Sequence, residues 1–215
     1  MWLPILMTQD TQNIAVLTGD LIRSSDLTPD QQQQALDNLR ATAIQIGSWP
    51  GVDAAFGLRG GDGWQLVLSR AGFGLRAALT LRASLRSLGK THDSRIAIAN
   101  GADALPPDGN PNAAIGPVYV ASGRLLETMK DEESLRWGAA SLGAATLLAD
   151  HISRDWTQTQ ARALAQQLPP GAPKRADIAK ALGVSRQSVN RSLWSAGYPA
   201  LSEALEMIET DTSLF

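Results

Sequence analysis

The chain has 215 residues, a formal net charge of −2 and 44% hydrophobic residues, which suits one large globular domain or two modest ones. It has no cysteine, which excludes a disulfide framework and a thiolate metal site and fits a cytoplasmic location. His92 and His151 are its only histidines, so no histidine-based zinc site is expected. The apolar start Met1–Met7 is too short for a membrane span and lacks the basic start of a signal peptide, so no membrane partner is expected.

The first elements are a strand and a helix. The apolar run Asn13–Gly19 predicts a buried strand that ends at Asp20. Thr28 is placed to cap a helix whose first residue is Pro29. Apolar residues then follow at helical spacing at Ala35, Leu36, Leu39, Ala43 and Ile46.

A hairpin and two further helices follow. Val52–Leu58 and Trp64–Leu68 predict two strands joined by a tight turn at 59–63. Further along, the patterns predict a helix over Leu75–Leu88, a strand over Arg95–Ala99 and a helix over Val118–Met129. The order β-α-β-β-α-β, followed by a helix, predicts an α+β domain with a ferredoxin-like sheet and helices on one face.

Beyond residue 150 the pattern is entirely helical. Helices are predicted over Thr157–Gln167 and Ala200–Ile208, with a pair of short helices between them. We therefore expect two domains: an α+β domain over residues 1–150 and a small all-α domain over residues 151–215.

The short helix pair has the form of a helix-turn-helix. Gly183 can supply the left-handed turn, and Ser185 can cap the second helix, in which Val189 and Leu193 face inward. Five basic residues against a single acidic one, Asp177, lie between residues 171 and 198. This basic segment on an acidic chain is typical of phosphate contact. The candidate DNA-binding residues are Lys174, Arg175, Lys180, Ser185, Arg186, Gln187, Asn190 and Arg191.

Two aspartates form the second candidate site. Asp20 ends the first strand and Asp62 lies at the hairpin tip, and the first and third strands of a ferredoxin-like sheet are central neighbours. The two carboxylates can then hold Mg²⁺ or Mn²⁺ together with a nucleotide. Gly19, Gly60 and Gly61 would let phosphate oxygens approach the backbone. The alternative is that both aspartates are ordinary turn residues.

Four short motifs in this part of the chain resemble those of one family. They are LTGDLIRSS at 17–25, RGGDGWQ at 59–65, RIAIANG at 95–101 and IGPVYVASGR at 115–124. In this order they resemble the SatD family over roughly residues 13–130, and more loosely class III nucleotide cyclases and the palm of GGDEF polymerases.

The resemblance implies roles for individual residues. Asp20 and Asp62 would be the two metal-binding aspartates of a cyclase-like palm, and Arg124 would lie near the nucleotide. Gly63 stands where the family has glutamate, which argues against catalysis. SatD-like proteins can also carry a C-terminal helix-turn-helix, in agreement with the second predicted domain.

These observations favour a DNA-binding transcriptional regulator with no catalytic residues. Its N-terminal domain would sense a ligand, dimerise, or do both. The resulting homodimer would bind two half-sites of double-stranded DNA through its helix-turn-helix domains. The alternative is a metal-dependent nucleotidyl transferase or cyclase that uses Asp20 and Asp62. In a third interpretation, the helix pair docks a protein instead of DNA.

Overall fold

A computed structural model of the protein describes residues 11–130 and 132–215. The strands are β1 (Gln12–Leu21), β2 (Ala54–Arg59), β3 (Gly63–Leu68), β4 (Ser94–Asp103) and β5 (Leu135–Trp137). The helices are α1 (Pro29–Ile46), α2 (Gly74–Leu88), α3 (Pro117–Thr128), α4 (Ala140–Ser153), α5 (Gln158–Gln167), α6 (Arg175–Leu182), α7 (Arg186–Ser195) and α8 (Tyr198–Thr210). The prediction of an α+β fold is confirmed, whereas β5 and α4 were not predicted. The apolar start Met1–Met7 lies outside the described residues.

The strands form one sheet in the order β2-β3-β1-β4-β5. β1 is antiparallel to both of its neighbours, β3 and β4, while β5 joins the edge in parallel with β4. β1 is therefore central, as the sequence predicts. Its last residues lie between the β2–β3 turn and the start of β4.

Helices cover both faces of the sheet, and not one face as predicted. α1 and α2 pack on the side of Ala15 and Leu17. On the other side, Val118 and Tyr119 of α3 pack on Ile14 and Val16 in a second apolar cluster. β1 is apolar on both faces for this reason, since a strand covered on both sides loses the alternation of apolar and polar residues.

Local signals explain where α1 begins. Thr28 accepts a hydrogen bond from the Gln31 backbone at 3.3 Å, and the Gln31 side chain accepts one from the Thr28 backbone at 2.9 Å. This reciprocal capping box, with Pro29 in the first turn, satisfies donors that the helix itself leaves unpaired.

A buried ionic cluster ties α4 to α2 and to the start of β4. The fully buried Arg82 donates to Asp150 at 2.8 Å and to Ser153 at 2.6 Å, and it also contacts Asp93. Burial alone would raise the pKa of Asp150, but Arg82 and then Arg154 favour its ionised form and lower the pKa overall. Removing one partner would leave the other charge buried and uncompensated.

The helices after residue 150 share the main core with the sheet domain. Leu164, Leu168 and Leu205 belong to the same apolar cluster as Leu79 of α2. Within the part of the chain that the structure describes, no helix is long and apolar enough to cross a membrane. The division at residue 150 and the cytoplasmic location stay predictions.

Candidate nucleotide site at the end of the central strand

The fold brings Asp20 and Asp62 to the same edge of the sheet. Asp20 pairs across the strands with Gly63, the residue after Asp62. The Leu21 amide donates to the Asp62 carbonyl at 3.3 Å. The close approach that the sequence predicts therefore follows directly from the antiparallel pairing of β1 and β3.

Arg95 binds the Asp20 carboxylate from the other side. The two residues are register partners across β1 and β4. The Arg95 guanidinium donates through Nε to Oδ1 at 2.9 Å and through Nη2 to Oδ2 at 2.5 Å, which is a bidentate ion pair. Both Asp20 oxygens are thus engaged, while the Asp62 side chain bonds no other described residue.

These residues belong to a charged row that crosses four strands. Register partners share a face of the sheet, and the pairings run from Arg59 to Gly63, from Gly63 to Asp20 and from Asp20 to Arg95. We call these four residues the cross-strand row. Two cations flank one carboxylate, and Gly63 leaves a gap between Arg59 and Asp20. Because Arg95 is paired with Asp20, Arg59 is the cation of this row that bonds no other described residue.

A cleft of about 340 Å³ opens beside Arg59, between the sheet and α3. Arg124 of α3 also lines it, and neither arginine bonds another described residue. We call this space the α3 cleft. Its position agrees with the implied role of Arg124 near a nucleotide, although that role stays a prediction.

The floor of the α3 cleft is held by buried polar side chains. Gln65 donates to the Thr18 hydroxyl at 3.0 Å, and that hydroxyl lies 2.7 Å from the Ser122 hydroxyl. Tyr119 donates to the Ala104 carbonyl at 2.8 Å. Burial, aided by the Asp103 charge, raises the pKa of Tyr119 to about 12, so it stays a neutral donor. This network fixes α3 against the strands that carry the cross-strand row.

The predicted phosphate-approach glycines have different surroundings. Gly60 and Gly61 have positive φ angles of 34° and 65°, and a Cβ on either would meet nothing within 4 Å. Their backbone is open to a ligand. Gly19 faces the core instead, where a Cβ would lie 2.4 Å from the Trp64 ring. The absence of a side chain at Gly19 thus serves packing.

The sequence implies that a divalent cation binds the carboxylates of Asp20 and Asp62. Carboxylate oxygens are suitable ligands for Mg²⁺ or Mn²⁺. However, Arg95 engages both oxygens of Asp20, and residues 11–130 and 132–215 contain no group of three or more His, Cys, Asp or Glu that could hold a metal. As the side chains are arranged, the site does not fit a bound cation.

The C-terminal helix pair has the predicted local geometry. Gly183 has the left-handed φ of 67°, and the Ser185 hydroxyl accepts from the Ser188 amide at 3.1 Å. Val189 is buried in the core. Arg175 donates to the Asn190 side chain at 3.1 Å, so the residue expected to contact a base already has an internal partner.

Comparison with known proteins returned structural matches only. No protein-family model and no curated protein matches the chain. The guanylyl cyclase Cya2 matches with 18% identity and a TM-score of 0.43, over 66% of this chain and 80% of that one. A bacterial light-regulated adenylyl cyclase matches with 11% identity and a TM-score of 0.44, over 63% of this chain and 45% of that one. Membership of the SatD family stays a prediction.

The comparison corrects the main functional prediction. Both matched structures are nucleotide cyclases and neither is a DNA-binding regulator, so the prediction of a DNA-binding transcriptional regulator is contradicted and is not kept. The physical reason for the error is that the helix-pair pattern specifies a turn, a cap and a buried seam without specifying a partner. No DNA contact is therefore assigned to Lys174, Arg175, Lys180, Ser185, Arg186, Gln187, Asn190 or Arg191.

Two arginines of the site were not predicted. The sequence places Arg59 in the turn at 59–63 and Arg95 in the motif at 95–101. The antiparallel order of β4, β1, β3 and β2 could have placed both on the face of Asp20, but only with the register known. A sequence motif does not supply that register.

Proposed function

We propose that this protein binds a nucleoside polyphosphate across the cross-strand row and the α3 cleft, and acts on it as a nucleotidyl transferase or cyclase. The observation that carries the proposal is the register that sets Asp20 beside Asp62 and between Arg59 and Arg95. The pairwise antiparallel order β2-β3-β1-β4 supports the finer description of this domain as ferredoxin-like.

Arg59 and Arg124 are the phosphate-holding groups in this proposal. Both line the α3 cleft, and the side chain of neither donates a hydrogen bond to another described residue. A guanidinium matches phosphate oxygens with two parallel hydrogen bonds and keeps its charge at every physiological pH. The open backbone of Gly60 and Gly61 admits the polyphosphate close to the turn.

Asp62 is the candidate base. In nucleotidyl transfer or cyclisation, a hydroxyl oxygen bonds to the α-phosphorus while the bond to the departing pyrophosphate breaks. The hydroxyl must lose its proton, and Asp62 has a carboxylate with no partner among the described residues. The arginines stabilise the charge that develops on the phosphate oxygens.

The test separates binding from turnover. Calorimetric titration with ATP and GTP measures binding, and release of pyrophosphate with and without Mg²⁺ or Mn²⁺ measures turnover. Arg59→Gln and Arg124→Gln should each weaken binding about tenfold, as expected for one charge-assisted contact. Asp62→Asn should retain binding and lose turnover.

Arg191→Gln is the matched control, because it removes the same charge from an exposed position on α7. Nucleotide binding that is equally strong in Arg59→Gln and in this control would contradict the proposed site. Binding that depends on Arg59, without pyrophosphate release under any metal condition, would retain the binding site and reject the reaction.

A further inference from the structure

We infer that a second cleft, behind the β1–α1 connection, binds a small organic phosphate. It measures about 630 Å³ and lies between that connection, the α2–β4 connection and the end of α4. Asp20, Asp62, Arg59 and Arg124 do not line it. We call it the α2 cleft. The inference does not depend on nucleotide binding at the cross-strand row.

The α2 cleft presents three cationic groups with unused donors. Arg23 and Lys90 are exposed and bond no other described residue through their side chains. Arg154 donates through Nη2 to Asp150, but its Nε is buried and has no partner among the described residues. A buried N–H without an acceptor is costly, and a phosphate oxygen would satisfy it.

Acidic side chains also line this cleft, and Asp93 among them is already engaged. Asp93 accepts from Arg82 on one oxygen and from Arg86 on the other, the latter at 2.8 Å. Asp26 and Glu132 are exposed carboxylates. Four basic residues line the α2 cleft against three acidic ones, so its lining keeps a small excess of positive charge.

The backbone at Arg23 is a second, independent observation. Its φ of 52° makes it the single non-glycine residue with positive φ among residues 11–130 and 132–215. This conformation is unfavourable for a side chain with a Cβ, and such strain is characteristic of positions that a function requires. Glycine would adopt this conformation without the steric cost of a Cβ.

The ligand class follows from size and lining. A cleft of 630 Å³ falls in the range of small-molecule sites. The side chains of Ile22 and Leu27 contribute apolar surface to the lining of the α2 cleft, in addition to the cationic groups. A phosphomonoester with an apolar or ring-shaped body fits this combination, with its phosphate toward Arg23, Lys90 and Arg154.

The test titrates the full chain with inorganic phosphate and with phenyl phosphate, followed by backbone amide NMR shifts. We expect shifts at Ile22, Lys90 and Arg154, with phenyl phosphate binding more tightly than phosphate. Arg23→Gly removes the guanidinium and suits the left-handed backbone, so it should weaken binding about tenfold without loss of thermal stability. Lys90→Gln should weaken binding similarly.

The controls are Arg59→Gln, which alters the α3 cleft, and Arg191→Gln on α7. Both should leave the shifts around the α2 cleft unchanged, which makes failure of this inference distinguishable from failure of the proposed function. Shifts confined to the α3 cleft, or equal phosphate binding by Arg23→Gly and the parent protein, would overturn the inference.

Discussion

Replacing Arg95 tests whether its guanidinium, by binding both oxygens of Asp20, keeps a metal ion from binding there. Arg95→Gln removes the bidentate partner and leaves two carboxylates, those of Asp20 and Asp62, at one sheet edge. We therefore expect the variant to bind Mn²⁺ at this edge more tightly than the parent protein does. The parent protein should bind Mn²⁺ weakly there.

The magnitude follows from the exposure of the pair. The Arg95 and Asp20 side chains are 31% and 25% exposed, so their attraction is partly screened by water. One charge pair at about 4 Å contributes about 1 kcal/mol in water and about 4 kcal/mol near a protein surface. The lower end of this range corresponds to a gain of about fivefold in Mn²⁺ affinity. Loss of the pair should lower the free energy of unfolding by about 1 kcal/mol.

The assay is Mn²⁺ titration by electron paramagnetic resonance at fixed ionic strength. Arg136→Gln is the matched control, because Arg136 is 43% exposed and pairs with Glu133 instead of Asp20. The double variant Asp20→Asn, Arg95→Gln should lose the gained affinity. Equal Mn²⁺ affinity in Arg95→Gln and Arg136→Gln would refute the reasoning.

Three further predictions concern packing and pH. Gly19→Ala should destabilise the fold by about 3 kcal/mol or more, because a Cβ would lie 2.4 Å from the Trp64 ring; a chemical denaturation midpoint equal to that of the parent would contradict this. Asp150→Asn should lower the free energy of unfolding by about 3–5 kcal/mol, because it leaves the buried Arg82 without its closest carboxylate. Because the pKa of Asp150 is lowered in the fold, its carboxylate stabilises the parent protein fully above the ordinary pKa of 3.8. This stabilisation is lost as the pH falls below that value. Burial lowers the pKa of His92 below 6.5, so the fold should lose stability as the pH falls from 6.5 toward that lower value. His92→Gln should flatten this part of the melting-temperature profile, and an unchanged slope would exclude His92 as its source.

Periodicity predicted most elements of the sheet domain, and the exceptions have physical reasons. β5 has three residues, which is too short to show alternation. α4 is rich in alanine and leucine, and its Leu147 and Leu148 are exposed, so its apolar residues do not mark one buried face. The position of α3 on the second face was missed although β1 is apolar on both sides.

The candidate site could also be predicted only in part from the sequence. The proximity of Asp20 and Asp62 could be predicted from topology alone. β1 and β3 are antiparallel neighbours, so the end of β1 lies beside the turn that precedes β3. The partner of Asp20 could not be found in this way. Arg95 lies 75 positions away, and its contact depends on the register of β4 against β1. Register depends on packing of the whole sheet, which a local pattern does not contain.

The helix pair shows why a correct local prediction gave a wrong function. Gly183 ends α6 because the turn needs a left-handed residue, and Ser185 begins α7 because its hydroxyl satisfies a free amide. Val189 is buried because α7 packs against α5 and α6. Each feature is required by any short pair of packed helices, whatever the pair binds. A partner has to be inferred from the side chains left unpaired, and here Asn190, the central one, is already bound by Arg175.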